Sequence, residues 1–251
     1  MIFITGDSHA DFKKFSKNSF PEQLEMTKDD YVVICGDFGG VWDKDVESKR
    51  ETWWLDWLEE KPFTTLFVDG NHENFDRLYA YPEEEWNGGK VHRIRPSVIH
   101  LMRGQVFTLE GKKFFTFGGA QSHDISGGIL ELDDPDFQEK RKRLDEDWMS
   151  YRINHLSWWK LELPTQEEMQ EGIDNLARNN NEVDFIVTHC CATNIQNMFG
   201  RGLFKSDYLT DYFDKIQKSV RYKKWIFGHY HDNKNVTKDD ILIYEQIIRI
   251  M

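Results

Sequence analysis

The chain has 251 residues, of which 30% are charged and 39% hydrophobic, and its formal net charge is −12. That length can bury a sizeable core, while the acidity argues against a broad footprint on a nucleic-acid backbone. No apolar run approaches membrane-spanning length. The three cysteines, Cys35, Cys190 and Cys191, have neither CxxC spacing nor an even count, which argues against a disulfide framework or a zinc ribbon and fits a reducing, cytoplasmic setting.

The N-terminus, MIFITGDSHAD, has no basic segment ahead of its apolar run and does not read as a signal peptide. The run IFIT (2–5) has the composition of a buried strand and ends in GDSH, which supplies Asp7 and His9. YVVIC (31–35) is a second such run, ending in GDFGG with Asp37; Phe38 and Trp42 beyond it read as packing aromatics, with groove lining as the alternative. KRETWWLDWLEEK (49–61) reads as a helix that places Trp54, Leu55 and Leu58 on one face. TTLFV (64–68) then leads into GNHE, with Asn71 and His72. This strand–helix alternation predicts an α/β layered domain.

The stretch VIHLMRGQVFTLEGKKFFTFGG (98–119) reads as antiparallel strands with a turn at Glu110-Gly111, so the sheet is expected to be mixed, or split in two. His123, in GGAQSHD, reads as a loop histidine, with entry into a cleft as the alternative. DDPDFQEKRKRLDEDW (133–148) is a charged helical segment with Glu139 and Arg143 at i,i+4 spacing. It lies in an insertion around 124–156 that reads as a solvated face, a lid or an oligomer contact. Thr165 and Glu168 form a capping box that opens a helix to about Arg178. DFIVT (184–188) ends in His189, and KWIF (224–227) ends in Gly228-His229-Tyr230-His231. The tail NVTKDDILIYEQIIRI (235–250) predicts a hairpin turning at Asp239-Asp240. With no repeat and no low-complexity linker, residues 1–251 read as one domain.

Five buried strands therefore each deliver Asp, Asn or His at the carboxyl end, the edge at which α/β sheets build their sites. Taken singly, each is a turn residue or a strand-end cap; the recurrence is what carries the reading. Two aspartates, one asparagine and four histidines (His72 set aside) suit borderline divalent cations such as Mn, Fe or Zn, whereas magnesium or calcium would call for oxygen ligands almost alone.

The ordered series GDSH, GDFGG, GNHE, THC and GHYH resembles the calcineurin-like metallophosphoesterases, over residues 6 to 231. GNHENFDRL and SWWKLELPTQEEMQ further resemble a bacterial and phage-type subgroup of phosphatases. The resemblance implies a four-layer α/β/β/α sandwich of mixed sheets with a two-metal centre at the strand ends. It implies that Asp7, His9 and His231 hold one ion and that Asn71, His189 and His229 hold the other, with Asp37 bridging. A metal-bridging hydroxide would attack a phosphate mono- or diester in line, and His72 would protonate the leaving oxygen or stabilise phosphoryl charge.

The segment GDFGGVWD departs from the GDxVDRG pattern of the superfamily's protein Ser/Thr phosphatases. It lacks both the Asp that orients the catalytic histidine and the Arg that clamps substrate, which weakens a protein-phosphatase assignment. Asp69 and Glu73 are the nearby carboxylates that could partner His72. The alternatives to a phosphoesterase are a non-catalytic metal-binding scaffold on the same fold and a metal-dependent nuclease. Retention of the full ligand set and His72 favours catalysis, and the acidic balance disfavours the nuclease. Manganese is the first choice of metal, and substrate identity and oligomeric state are left open.

Overall fold

The computed structural model describes residues 1–251. Strands β1 (Ile2–Thr5), β2 (Tyr31–Ile34), β3 (Thr64–Phe67), β4 (Glu83–Trp86), β5 (Gly89–Arg95) and β6 (Val98–Leu101) belong to a first sheet. The chain then crosses to a second sheet with β7 (Gln105–Leu109) and β8 (Lys112–Phe117). A separate two-stranded ribbon follows, β9 (Ile129–Leu130) with β10 (Arg152–Ile153). The second sheet is completed by β11 (Phe185–Thr188), β12 (Lys224–Phe227), β13 (Lys234–Asn235) and β14 (Asp240–Leu242), and β15 (Ile247–Arg249) returns to the first. The helices are α1 (Lys49–Glu59), α2 (Phe75–Leu78), α3 (Phe137–Glu146), α4 (Gln166–Arg178), α5 (Thr193–Gly200) and α6 (Tyr208–Ser219).

In the first sheet the order is β15-β1-β2-β3-β6-β5-β4, with β1, β2, β3 and β6 parallel. In the second it is β13-β14-β12-β11-β8-β7, with β8, β11, β12 and β14 parallel. Parallel strands are covered on both faces, which is why these runs are apolar throughout rather than alternating. Ile2, Ile4, Val33 and Leu66 of the first sheet meet Phe114, Phe185, Val187 and Ile226 of the second in a shared core. On the outer face of the first sheet, Phe3, Val32 and Phe67 pack against Leu55 and Leu58 of α1. On the outer face of the second, Phe115, Ile186 and Trp225 pack against Leu176 of α4 and Phe213 and Ile216 of α6. The result is the α/β/β/α sandwich of mixed sheets expected from the sequence.

Helix starts follow local chemistry. Ser48 and Glu51 form a capping box at α1, and Thr165 and Glu168 form one at α4, which ends at Arg178 as expected. Both satisfy backbone N–H groups that the first turn leaves without partners.

Two readings of strand pairing are corrected. The stretch 98–119 is not one antiparallel set: β6 pairs with β3 and β5 in the first sheet, and the chain then crosses at Met102–Gly104 to the β7–β8 hairpin of the second. Its turn does lie at Glu110-Gly111, both with positive φ. The tail is likewise split between sheets. β13 and β14 form a short hairpin around residues 236–239, with Asp240 already in the strand, and β15 pairs antiparallel with β1. Apolar alternation specifies that a strand is buried but not which of two facing sheets takes it.

Candidate metal centre

The parallel strands of both sheets point their carboxyl ends to one edge, and every candidate ligand follows such an end. Asp7 and His9 follow β1, Asp37 follows β2, and Asn71 and His72 follow β3; the second sheet brings His189 after β11 and His229 and His231 after β12. Five of these turn residues, His9, Ala10, Asp37, His229 and His231, take positive φ values of 43–69°. Such strain is costly for non-glycine residues and persists where surrounding structure enforces it. Two glycines let the loops close on one another. A Cβ on Gly70 would lie 2.0 Å from Asp37 Oδ1, and one on Gly228 would lie 2.2 Å from Asp7 Oδ1.

Hydrogen bonds tie the two sheets together here. The His229 backbone N–H donates to Asp7 Oδ1 (3.0 Å), and the His72 backbone N–H donates to Asp37 Oδ1 (2.8 Å). The Asp37 carbonyl accepts from the backbone of Ser8 (3.0 Å) and His9 (2.8 Å). His189 Nδ1 donates to the Cys35 carbonyl at 2.7 Å, which directs Nε2 toward Asp37 Oδ1 (3.3 Å) and Asn71 Oδ1 (3.3 Å).

One candidate ligand atom from each of Asp7, His9, Asp37 and His231 lies within 4.8 Å of all the others. His231 Nε2 is 3.1 Å from Asp7 Oδ2 and 3.1 Å from His9 Nε2, which is 3.6 Å from Asp37 Oδ2. Two ligands about 2.1 Å from one ion and roughly 90–110° apart are separated by about 3.0–3.4 Å, so this spacing fits neighbouring positions around a cation. Asp7 Oδ2 is buried and geometrically unbonded, with His231 Nε2 at 3.1 Å. A buried carboxylate oxygen without a donor is a costly arrangement that a cation relieves. Asp37 faces both clusters, with one carboxylate oxygen toward His9 and the other toward His189.

The electrostatics are those of a crowded site. Burial alone would push the Asp37 carboxyl up, but His189, His72 and His9 outweigh it and hold it well below the usual carboxylate range. Burial would likewise push His189 down, yet Asp37, with Asp7 and the Cys35 carbonyl, raises it to about 10. His229 is driven far down, by burial first and then by His189 and His123, which favours its neutral ring. The His72 imidazole is lowered by burial, with Asp37 opposing.

Neither carboxylate weighed as a partner of His72 bonds to its ring. Asp69 is fully buried and engages the Arg103 guanidinium (Nε 2.8 Å) and His100 (3.1 Å). Glu73, also fully buried, accepts from the Phe38 (2.7 Å) and Gly39 (3.2 Å) backbones and so fixes the loop after Asp37. The reading of His123 as a plain loop histidine is corrected: its Nε2 lies 2.7 Å from His229 Nε2. Its neighbour Ser122 accepts from Asn71 Nδ2 (3.3 Å) and donates to buried Glu162 (2.5 Å), which turns the Asn71 oxygen toward His189. Such outer partners orient ligands. Of the aromatic pair, Phe38 stacks on Phe67 in the core at 4.0 Å, whereas Trp42 lines a cleft beside His72. Cys190 and Cys191 are buried in the core.

Fold and site point to one family. The chain belongs to the calcineurin-like phosphoesterase family, which it matches over residues 1–233. Among curated proteins it is 27% identical over 143 residues to lariat debranching enzyme A of Xenopus laevis, an alignment covering 52% of this chain and 26% of that protein. It is 26% identical over 144 residues to the lariat debranching enzyme of Danio rerio, covering 52% and 24%. The chain thus aligns with about a quarter of the length of these relatives. No helix is long and apolar enough to cross a membrane.

Proposed function

We propose that the chain hydrolyses phosphate mono- or diesters at a dinuclear centre in which Asp7, His9 and His231 hold one ion, Asn71, His189 and His229 hold the other, and Asp37 bridges them. The observation that carries this reading is the convergence of Asp7, His9, Asp37 and His231 donor atoms within 4.8 Å, beside a buried carboxylate oxygen with no hydrogen bond. The mixed imidazole and carboxylate donors suit manganese first, with iron or zinc as alternatives. Bound ions would acidify a water and neutralise phosphoryl charge for in-line displacement.

The protein's own groups supply the rest. The Asp37–His72 backbone bond fixes the His72 ring at the rim, 5.1 Å from the His9 ring. His72, whose charged form burial disfavours and Asp37 favours, would protonate the leaving oxygen or stabilise phosphoryl charge. We read residues 1–251 as one domain in which 124–156 is an insertion that begins directly after His123. A diester is favoured as substrate by the likeness to lariat debranching enzymes. The net charge of −12 supports small esters over a long nucleic acid, and a cytoplasmic setting suits three reduced cysteines.

The test is a screen of Mn-loaded protein against phosphate mono- and diesters, nucleotides and phosphopeptides. Metal-dependent turnover of at least one class is expected, abolished by chelator and restored by Mn. A fully metal-loaded chain inert toward every class would instead favour the non-catalytic scaffold.

A further inference from the structure

A cleft of about 290 Å³ adjoins the metal centre and shares its His9 and His72 wall. Its remaining lining includes Trp42, Trp54, Arg50 and Asp43. Trp42 sits 5.9 Å from the His72 ring, inclined at 34°, with its edge against Trp159 at 5.7 Å. The loop that carries it is held from two sides. The Trp42 and Asp43 backbone N–H groups donate to Glu51, itself paired with Arg77 at 2.7 Å, and Asn74 Nδ2 donates to the Trp42 (3.2 Å) and Asp43 (2.9 Å) carbonyls. Trp54 is braced by Phe12 at 5.6 Å and Trp53 at 4.5 Å. These are fixed aromatic surfaces with a cation and an acid beside them, and neither Arg50 nor Asp43 makes an ion pair or a side-chain hydrogen bond within the chain.

We infer that this cleft is the subsite for a nucleoside as the leaving group, with its heterocyclic base against Trp42 and Trp54. The inference rests on the phosphoesterase reading and names its substrate class. A leaving oxygen within reach of the His72 ring places the body it belongs to in the space next to His72, and this cleft is that space. A base offers π faces to the indoles. Its amino and carbonyl edges match the Asp43 acceptor and the Arg50 donors. A glycerol leaving group has no π face to offer either indole. At about 290 Å³ the cleft stands at the small end of ligand pockets, which run from roughly 300 Å³ upward, so it accommodates one nucleoside rather than a polymer. In the reaction the phosphorus–oxygen bond to the nucleoside breaks and its electron pair stays on the nucleoside oxygen, which takes up a proton. The phosphorus gains the oxygen of water, which releases a proton.

The experiment uses the full Mn-loaded chain with adenosine 3′- and 5′-monophosphate and glycerol phosphate as substrates, and adenosine as a binding probe by equilibrium dialysis. Trp42→Ala should lower kcat/KM on the better nucleotide by about 5- to 150-fold more than on glycerol phosphate, the span of one base-stacking contact. Trp42→Phe should recover most of that selective loss, and Trp54→Leu should produce a selective loss of its own without touching the Trp159 packing. Adenosine should bind the wild type and bind Trp42→Ala more weakly by a similar factor. Equal losses on both esters, together with no adenosine binding, would overturn the subsite and leave the phosphoesterase reading intact. If the wild type hydrolyses neither ester, that reading loses support for monoesters, while adenosine binding in the same samples still decides the subsite.

Discussion

Arg103→Met isolates what the buried Asp69–Arg103 pair does for the loop that carries Asn71 and His72. Both side chains are fully buried, with Arg103 bonded to Asp69 through Nε and Nη2 and to the Leu161 carbonyl at 2.7 Å. Burial alone would push the Asp69 carboxyl up, but Arg103 and His100 outweigh it and hold it at about 2, against an ordinary 3.8. That depression corresponds to about 2 kcal/mol of stability. Removing the guanidinium also strands a buried carboxylate, and breaking such a pair costs about 3–5 kcal/mol in total. For a chain of this size the loss corresponds to a Tm lower by roughly 6–20 °C. The assay is urea unfolding followed by tryptophan fluorescence at a series of pH values. Because the folded pKa of Asp69 is depressed, its contribution in the wild type is present above about pH 4 and is lost as pH falls through about 2, while burial raises the stranded Asp69 of the variant, so the gap between the two should narrow as pH falls from 7 and close at about 2. Replacing both partners (Asp69→Leu with Arg103→Met) should cost less than Arg103→Met alone, since no uncompensated charge is left buried. A single variant within about 1 kcal/mol of wild type at pH 7, with no pH-dependent narrowing, would refute the reasoning.

Asp37→Asn should lose both metals and activity together, whereas His231→Ala should chiefly weaken one ion, as read by metal titration of each variant. Gly70→Ala should impair metal binding because its Cβ would fall 2.0 Å from Asp37 Oδ1; circular dichroism checks that the fold persists while elemental analysis reads the metal. His72→Ala should keep both metals and slow hydrolysis of unactivated esters by about 10²–10⁴-fold. Its effect should be smaller on p-nitrophenyl phosphate, and an equal loss on both substrates would restrict His72 to phosphoryl-charge stabilisation.

The strand ends and their candidate ligand residues were legible because buried parallel strands read as apolar runs and each broke off in Asp, Asn or His, in four of the five directly after a glycine. The helix α4 was legible from Thr165, Glu168 and Arg178, all within one local stretch. What escaped were contacts between distant segments. Nothing in LMRGQ singles out Arg103, and only the crossing between sheets brings it onto Asp69. His123 lies 106 residues from His229, and nothing in QSHD signals that their rings meet. Glu73 looked like a partner for His72, yet the turn of GNHE sends it inward to the Phe38 and Gly39 backbones. The tail Ile247–Arg249 pairs with β1 across the whole length of the chain, a choice between two sheets that alternation cannot make.

The central claim is two metal ions per chain, bridged by Asp37. Protein purified without chelator, incubated with Mn and dialysed should contain close to two transition-metal equivalents by elemental analysis, with an exchange-coupled Mn pair in its electron paramagnetic resonance spectrum. A value near zero, or a stable single equivalent without coupling, would contradict the dinuclear assignment.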